Sequence, residues 1–96
     1  MRFVWDSAKN VSNQKKHGIS FEEASTLFKP KTDYYEIYDE ANSIDEDRFI
    51  AIGPIERGIV LVVHTEVRDT LIRIISARFA TEAETQLFHS HMRGEL

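Results

Sequence analysis

The feature that most constrains the fold is the apolar run Ile59-Val60-Leu61-Val62-Val63. A strand with one wet face alternates polar and apolar residues, whereas an uninterrupted apolar run is typical of a strand covered on both faces. We therefore expect a central strand over residues 58–66, in a sheet that carries packed structure on each side. Such a strand needs neighbours, which the flanking sequence must supply.

The rest of the pattern predicts an α+β domain of order β-α-α-β-β-β-β-α. A short apolar run at residues 2–5 precedes Asp6, a good N-cap, and Gly18 can end the helix that follows. Capping-box patterns begin two further helices, at Ser20 and Thr81, and the first two helices should form a hairpin. Short connections between four strand-like segments predict an antiparallel meander: residues 34–38, 48–52, 58–66 and 70–77.

The size and composition of the chain exclude several classes of protein. We expect its 96 residues to form one domain, residues 1–96, with one core. The chain has no Cys, which excludes disulfides and thiolate metal sites. No apolar run approaches the roughly 18–20 residues of a membrane span, and the N-terminus lacks the apolar block of a signal peptide. We therefore expect a soluble, cytoplasmic protein with no membrane partner.

The net charge of −4 at first argues against a nucleic-acid binder. Seven acids, however, lie in residues 33–47, which contain no Lys or Arg, so that 12 basic residues accompany nine acidic ones elsewhere. Local rather than net charge sets the field that a phosphate feels, so the composition is compatible with a basic working surface. The acidic block is either a solvated loop and strand edge or a docking surface for a basic partner.

Charged groups interrupt the strand-forming residues that follow the apolar run. Guanidinium groups are planar, permanently charged donors that suit phosphate, and three of them lie here: Arg68, Arg73 and Arg78. Arg73 lies between two isoleucines of an interior strand, where an unpaired charge is very costly without a partner or a ligand. Glu66, at the end of the preceding strand, is either half of a hairpin salt bridge or a proton-transfer group.

The first helix supplies a second set of cations. Lys9, Asn13, Lys16 and His17 fall at i, i+4, i+7 and i+8 and therefore share one helical face. His17 either interacts only with the carbonyl groups at the helix end or contributes to a site. His64, inside the apolar strand, is better explained as a hydrogen-bonded core residue, and we leave it out of the catalytic set.

Strand parity decides which residues of the hairpin can meet. If residues 67–69 form a three-residue loop, Val63 faces Arg73, and His64 and Arg73 lie on opposite sheet faces. An even-numbered loop puts His64 and Arg73 on the same face. The sequence alone leaves both registers open.

These groups match what metal-free RNA cleavage requires. The reaction needs a base for the 2′-hydroxyl, cations for the phosphorane and an acid for the leaving 5′-oxygen. The two sets of residues converge only if the basic helix face lies over the strand that bears Arg73. No spacing typical of a metal site, such as His-Glu-x-x-His, occurs, and we expect neither a metal nor a cofactor.

The chain resembles the BrnT family, the toxin half of the bacterial BrnT/BrnA type II toxin–antitoxin systems. The matching blocks cover nearly the whole domain in order: Phe3-x-Trp5-Asp6-x-x-Lys9, Asn13-x-x-Lys16-His17-Gly18-Ile19-x-Phe21-Glu22-Glu23-Ala24, Arg48-Phe49-Ile50-Ala51-Ile52-Gly53, His64-Thr65-Glu66, and Arg73-Ile74-Ile75-Ser76-Ala77-Arg78-x-Ala80-Thr81-x-x-Glu84. The resemblance implies a RelE-like fold, with helices packed on an antiparallel sheet, and an endoribonuclease that inhibits translation. It also implies neutralisation by a BrnA-type antitoxin, whose ribbon-helix-helix domain binds operator DNA, commonly in a heterotetramer.

We therefore predict a metal-independent ribonuclease that leaves a 2′,3′-cyclic phosphate. Arg73 and Arg78 would hold the scissile phosphate, Glu66 and His17 would transfer protons, and three further cations would position RNA: Lys9, Lys16 and Arg68. A rival hypothesis is a non-catalytic module, derived from such a toxin, that only binds the antitoxin and acts as a co-repressor. Two features support the rival, the net charge of −4 and Phe79, which stands where many relatives carry a basic residue.

Overall fold

The computed structural model describes residues 1–95 as three helices packed on a five-stranded mixed sheet. The predicted order of elements is confirmed: β1 (Arg2–Val4), α1 (Ser7–His17), α2 (Phe21–Ser25), β2 (Tyr35–Tyr38), β3 (Phe49–Ile55), β4 (Gly58–Arg68), β5 (Leu71–Phe79) and α3 (Glu82–Met92). Short 3₁₀ turns, Thr26–Phe28 and Glu40–Asn42, follow α2 and β2. Within residues 1–95, no helix is long and apolar enough to cross a membrane.

The strands lie in the order β1-β5-β4-β3-β2, which makes β4 the central strand that its apolar run predicts. The antiparallel meander is confirmed for β2 to β5. In addition, β1 pairs with β5 in parallel, with Phe3 opposite Ile72, and this pairing makes the sheet mixed. A parallel neighbour requires a long connection, and here the whole chain from α1 to β4 separates the two strands.

Both faces of the sheet are covered, but by different helices. The helix-pair face packs against α1, α2 and the turn after α2, and its core consists of Ile19, Phe21, Ala24, Leu27, Phe28, Ala51, Val60, Val62, Ile72, Ile74 and Ala77. The α3 face has a smaller core in which Ile52 and Leu61 pack with Phe88 of α3. Because α3 contacts β2 and β3, the α3 face is covered on that side of the sheet.

Helix α1 is stabilised by polar contacts rather than by an apolar stripe. Asp6 accepts a hydrogen bond from the Lys9 N–H, and Gly18, at φ 71°, ends the helix in the left-handed conformation. The side chain of Asn13 is buried; it donates to the carbonyls of Ile19 (2.9 Å) and Ala77 (2.8 Å) and accepts from the Ala77 N–H (3.2 Å). One side chain that satisfies both backbone groups of Ala77 must lie at the free edge of β5, beyond the end of the short strand β1.

We expect Asn13→Ala to lower the free energy of unfolding by about 3 kcal/mol, because it leaves buried backbone groups of Ile19 and Ala77 without partners. Urea denaturation measures this loss. Ser12→Ala is the matched control, since Ser12 is exposed on the same helix. A loss below about 1 kcal/mol would show that Asn13 is not the residue that protects this edge.

Candidate functional site

A β-bulge determines which face of the sheet carries Arg73. Strands β4 and β5 are joined by the two-residue turn Asp69-Thr70, and loop length alone would put His64 and Arg73 together. The register shifts by one residue at Val67, however, so that Arg73 pairs with Thr65 while His64 pairs with Ile74. His64 and Arg73 therefore lie on opposite faces.

A second bulge brings Arg78 to the same face as Arg73. Arg73 and Arg78 are five residues apart, so that an uninterrupted strand would point them in opposite directions. The register shift between Val63 and His64 leaves one extra residue in β5, and Arg78 pairs with Leu61 of the α3 face. Arg68 pairs with Leu71, which shares a face of β5 with Arg73, so the bulge at Ile75 completes a set of three arginines on the α3 face: Arg68, Arg73 and Arg78.

Arg73 has the carboxylate partner that its position in the strand requires. An Nη2–H of Arg73 donates to Oε1 of Glu46, although the sequence separates the two residues by 27 positions. The side chain of Arg73 is 41% exposed, so the guanidinium is also open to solvent. The group is therefore not an unpaired buried charge, and an anion from solution can reach it.

Arg78 is bound to the start of α3. Its two terminal nitrogens donate to the two carboxylate oxygens of Glu84, at 2.8 and 2.9 Å. Glu84 also accepts from the Thr81 N–H, which completes the predicted capping box. The Arg78 guanidinium, together with the bond from Thr81, lowers the pKa of Glu84 to about 2. Arg78 therefore has a structural role in fastening α3 to β5, whatever its role toward RNA.

Five of the seven acids in the acidic block are exposed, as expected of a solvated loop and strand edge. Its loop, residues 39–48 (the acidic loop), is bound to the sheet beside Arg73. The Thr65 hydroxyl donates to the Asp47 carbonyl (2.7 Å), and the Tyr38 hydroxyl donates to the Asp47 carboxylate (3.0 Å). Glu46 then contacts both Arg73 and Arg48, the latter at 3.9 Å between Oε1 and Nε.

Glu66 lies away from Arg73, on the helix-pair face with Ile72. Burial, and next the charge of Glu66, raise the pKa of Glu36. The pKa of Tyr34 is also raised, first by burial and then by Glu36 and Glu66. No local pattern indicates this acidic cluster, because Glu36 lies in β2 and Tyr34 just before it, and both meet Glu66 only through the sheet.

His64 is a core residue beside that cluster, but the predicted hydrogen bonds are absent, since neither ring nitrogen has a partner within residues 1–95. Only 1% of it is exposed, and its ring packs against Phe28 and Phe49 at centroid distances of 5.0 and 5.9 Å. Nε2 lies 3.4 Å from Oε1 of Glu36, but the geometry does not make a hydrogen bond. Burial lowers the pKa of His64 to about 4, so the ring is neutral at physiological pH.

The candidate residues of α1 lie on another side of β5 from Arg73. Helix α1 does pack against β5, but it does so at the free edge, through Asn13. Lys9 and Lys16 are exposed, and His17 is half-buried in the last turn of α1. Because Arg73 projects from the α3 face, the structure places the three arginines of the hairpin on one face of the sheet but does not put the α1 residues there.

Comparison with known proteins identifies the family. A family model described as "Ribonuclease toxin, BrnT, of type II toxin-antitoxin system" matches residues 5–84. The chain belongs to the BrnT toxin family. A search of curated proteins finds no match. Among solved structures, the 1.1 Å crystal structure of the Brucella abortus ribonuclease toxin, BrnT, is similar, with 26% identity over 85% of this chain and 99% of that chain and a TM-score of 0.68.

Phe79 has a structural use in this BrnT-family chain. The guanidinium carbon of Arg57 lies 5.3 Å from the centre of the Phe79 ring. Arg57 also donates to both carboxylate oxygens of Glu23 (2.5 and 2.6 Å) and to the Gly18 carbonyl (2.7 Å). Phe79 therefore packs against the residue that holds the junction of α1 and α2. No local pattern indicates this contact, which joins three distant segments.

Proposed function

We propose that this chain is the toxin of a type II toxin–antitoxin system and a metal-independent endoribonuclease. Membership of the BrnT family supports the ribonuclease class. The observation that carries the proposal is the β-bulge at Ile75, because without it Arg78 would not share the face of the sheet that carries Arg68 and Arg73. Bulges of this kind are common beside active sites, where they redirect a side chain at a cost in regular pairing.

The proposed reaction is an in-line attack by the 2′-hydroxyl of RNA on the adjacent phosphorus. A base removes the hydroxyl proton, the 2′-oxygen forms the new P–O bond, and the bond to the 5′-oxygen breaks as an acid protonates the leaving oxygen. The products are a 2′,3′-cyclic phosphate and a 5′-hydroxyl. Arg73 and Arg78 stabilise the charge that develops on the phosphorane, because planar guanidinium donors match its equatorial oxygens. Arg68 binds the RNA backbone beside this phosphate, and the exposed Lys9 and Lys16 of α1 bind RNA farther along the strand, away from the reaction.

Glu66 and His17 remain the proposed proton-transfer groups. The fold restricts the path by which RNA could reach Glu66 and Arg73 together. Glu66 and Arg73 occupy opposite faces, but the pairs Thr65–Arg73 and Glu66–Ile72 are adjacent in the hairpin, near its turn. An RNA strand that reaches both groups must therefore pass around the turn end of the β4–β5 hairpin. The same path leads away from α1, so Glu66 is the stronger candidate of the two.

We also propose that a BrnA-type antitoxin neutralises the toxin and that the two form a heterotetramer. A type II system implies a protein antitoxin. The ribbon-helix-helix domain of that antitoxin would bind operator DNA, and the toxin would contact DNA only through it. Free toxin would inhibit translation by cleaving RNA in the cytoplasm.

The test is cleavage of RNA by the purified protein with and without EDTA. We expect fragments with 2′,3′-cyclic phosphate ends at the same rate in both arms, and no cleavage of the same sequence made with 2′-O-methyl riboses, which lack the nucleophile. Cleavage lost only with EDTA would contradict the metal-free mechanism. Ends that carry a 3′-hydroxyl would contradict the attack by the 2′-oxygen.

A second candidate function is the non-catalytic module that binds the antitoxin. The pairing of Arg73 with Glu46 and of Arg78 with Glu84 favours it, because both guanidinium groups already have anionic partners in the chain. This candidate predicts tight binding of the antitoxin but no RNA cleavage at any ratio of protein to RNA. The same cleavage assay, run beside an antitoxin titration, separates the two functions.

A further inference from the structure

One carboxylate oxygen of the acidic loop lies between two guanidinium groups. Oε1 of Glu46 accepts from Nη2 of Arg73 and lies 3.9 Å from Nε of Arg48. Glu46 and Arg48 belong to the acidic loop and Arg73 lies in β5, so that two segments of the chain meet at this oxygen. Two arginines on a single oxygen create an anion site with more donors than one carboxylate can satisfy.

Arg48 is the unsatisfied member of the site. Its Nε is buried and has no hydrogen-bond partner within residues 1–95, although the side chain as a whole is 34% exposed. A buried donor without a partner is uncommon in folded proteins and calls for an explanation. An anion larger than a single carboxylate oxygen, such as a phosphate with its non-bridging oxygens, would reach Arg48 and Arg73 together.

We propose that Arg48 and Arg73 form one phosphate-binding site for the RNA backbone and that Glu46 occupies it when RNA is absent. The inference rests on the proposed function only for the identity of the anion. Binding of RNA requires the Glu46 carboxylate to leave, because its charge repels a phosphate and its oxygen holds the donor that the phosphate needs. Glu46 is thus an internal competitor that weakens RNA binding by the free toxin.

The way in which the loop holds Glu46 distinguishes this arrangement from an ordinary surface ion pair. Glu46 is presented by a loop whose neighbour Asp47 is fastened through its carbonyl to the Thr65 hydroxyl, opposite Arg73 in the hairpin. The carboxylate is therefore held close to the site while its own side chain can turn away. A competitor held in this way acts at high effective concentration, yet it is removed without unfolding the loop.

The experiment measures binding of a short 2′-O-methyl oligoribonucleotide, which cannot be cleaved, as a function of salt. We expect Glu46→Gln to bind about fivefold more tightly than the wild type. We expect Arg48→Ala and Arg73→Ala each to bind about tenfold more weakly and to lower the slope of log affinity against log salt by about 0.7, the value for one lost phosphate contact on a single strand. Glu40→Gln, with the same charge change in the same loop, is the control for net charge.

Three outcomes would overturn the inference. Glu46→Gln that binds no more tightly than Glu40→Gln would show that Glu46 does not compete. An Arg48→Ala variant with the wild-type affinity and salt slope, and an unchanged melting temperature, would remove Arg48 from the site. Unchanged binding by Glu46→Gln with cleavage lost would instead make Glu46 the general base. Because binding is measured without cleavage, a protein that binds as expected and cleaves no RNA would contradict only the proposed ribonuclease.

Discussion

Replacing Arg73 with Ala should lower the rate of RNA cleavage by about 10²–10³-fold, the effect of removing one donor that stabilises a developing oxyanion. Arg73 is the middle arginine of the three on the α3 face. It makes one hydrogen bond to Glu46, whereas Arg78 is fastened to Glu84 by two hydrogen bonds. Single-turnover cleavage of a defined RNA measures the change. Growth inhibition on expression in bacteria should disappear with it.

The loss should arise from chemistry and not from unfolding. The pair of Arg73 and Glu46 is half exposed, and pairs of that kind contribute about 0–1 kcal/mol to stability. Arg73→Lys keeps the charge but loses the planar fork, so we expect an intermediate rate. Arg93→Ala, which removes the same charge from an exposed pair at the end of α3, is the control. Full toxicity in a folded Arg73→Ala variant would remove this residue from the mechanism.

The sequence was sufficient to predict the elements because their signals are local. The capping residues Asp6, Ser20 and Thr81 act within three residues of the N–H groups that they bind. The apolar run of β4 likewise predicts a central position by itself, because a strand that is apolar on both faces must be covered on both. The second helix is shorter than its apolar stripe suggests, because its last turn tightens to 3₁₀ geometry before Lys29 and Pro30.

The site was less predictable because it depends on register. Moving a pairing by one residue turns every side chain to the other face, and the bulges at Val67 and Ile75 do this twice without a local signal such as glycine. The contact between Glu46 and Arg73 joins residues 27 positions apart, and nothing in the pattern of charges selects Glu46 from its acidic neighbours. The candidate residues could therefore be predicted from the chemistry of their side chains, but the residues that they contact in the fold could not.

A decrease of pH from 7 to 4 should destabilise the protein through His64 by about 3 kcal/mol. In the unfolded chain this imidazole takes up a proton near its ordinary pKa of 6.5, whereas burial lowers the pKa in the folded protein to about 4. Between these values the unfolded state binds more protons, so stability falls as pH falls, by about 1.4 kcal/mol for each unit of difference. Urea denaturation at several pH values measures the effect.

Other groups also titrate in or near this pH range. The informative quantity is therefore the difference in the free energy of unfolding between the wild type and His64→Phe. The raised pKa of Glu36 has the opposite sign, because the folded state then binds its proton first as pH falls. The contribution of Glu84, whose pKa is about 2, is lost mainly below pH 4.5. His64→Phe should remove the loss between pH 6.5 and 4, while His89→Gln, at an exposed position of α3, should keep it. If the aromatic variant fails to fold, His64→Leu serves instead.

The His64→Phe variant also tests whether His64 has a structural role or a catalytic one. A histidine that is neutral near pH 7 and enclosed by Phe28 and Phe49 offers no cation to a phosphate, and it lies on the opposite face from Arg73. His64→Phe should therefore cleave RNA at the wild-type rate at neutral pH, while its stability falls by about 3 kcal/mol less than that of the wild type between pH 7 and 4. Loss of cleavage with an intact fold would place His64 in the proton transfer, and equal pH dependence in the two proteins would show that its ring is not buried in the neutral form.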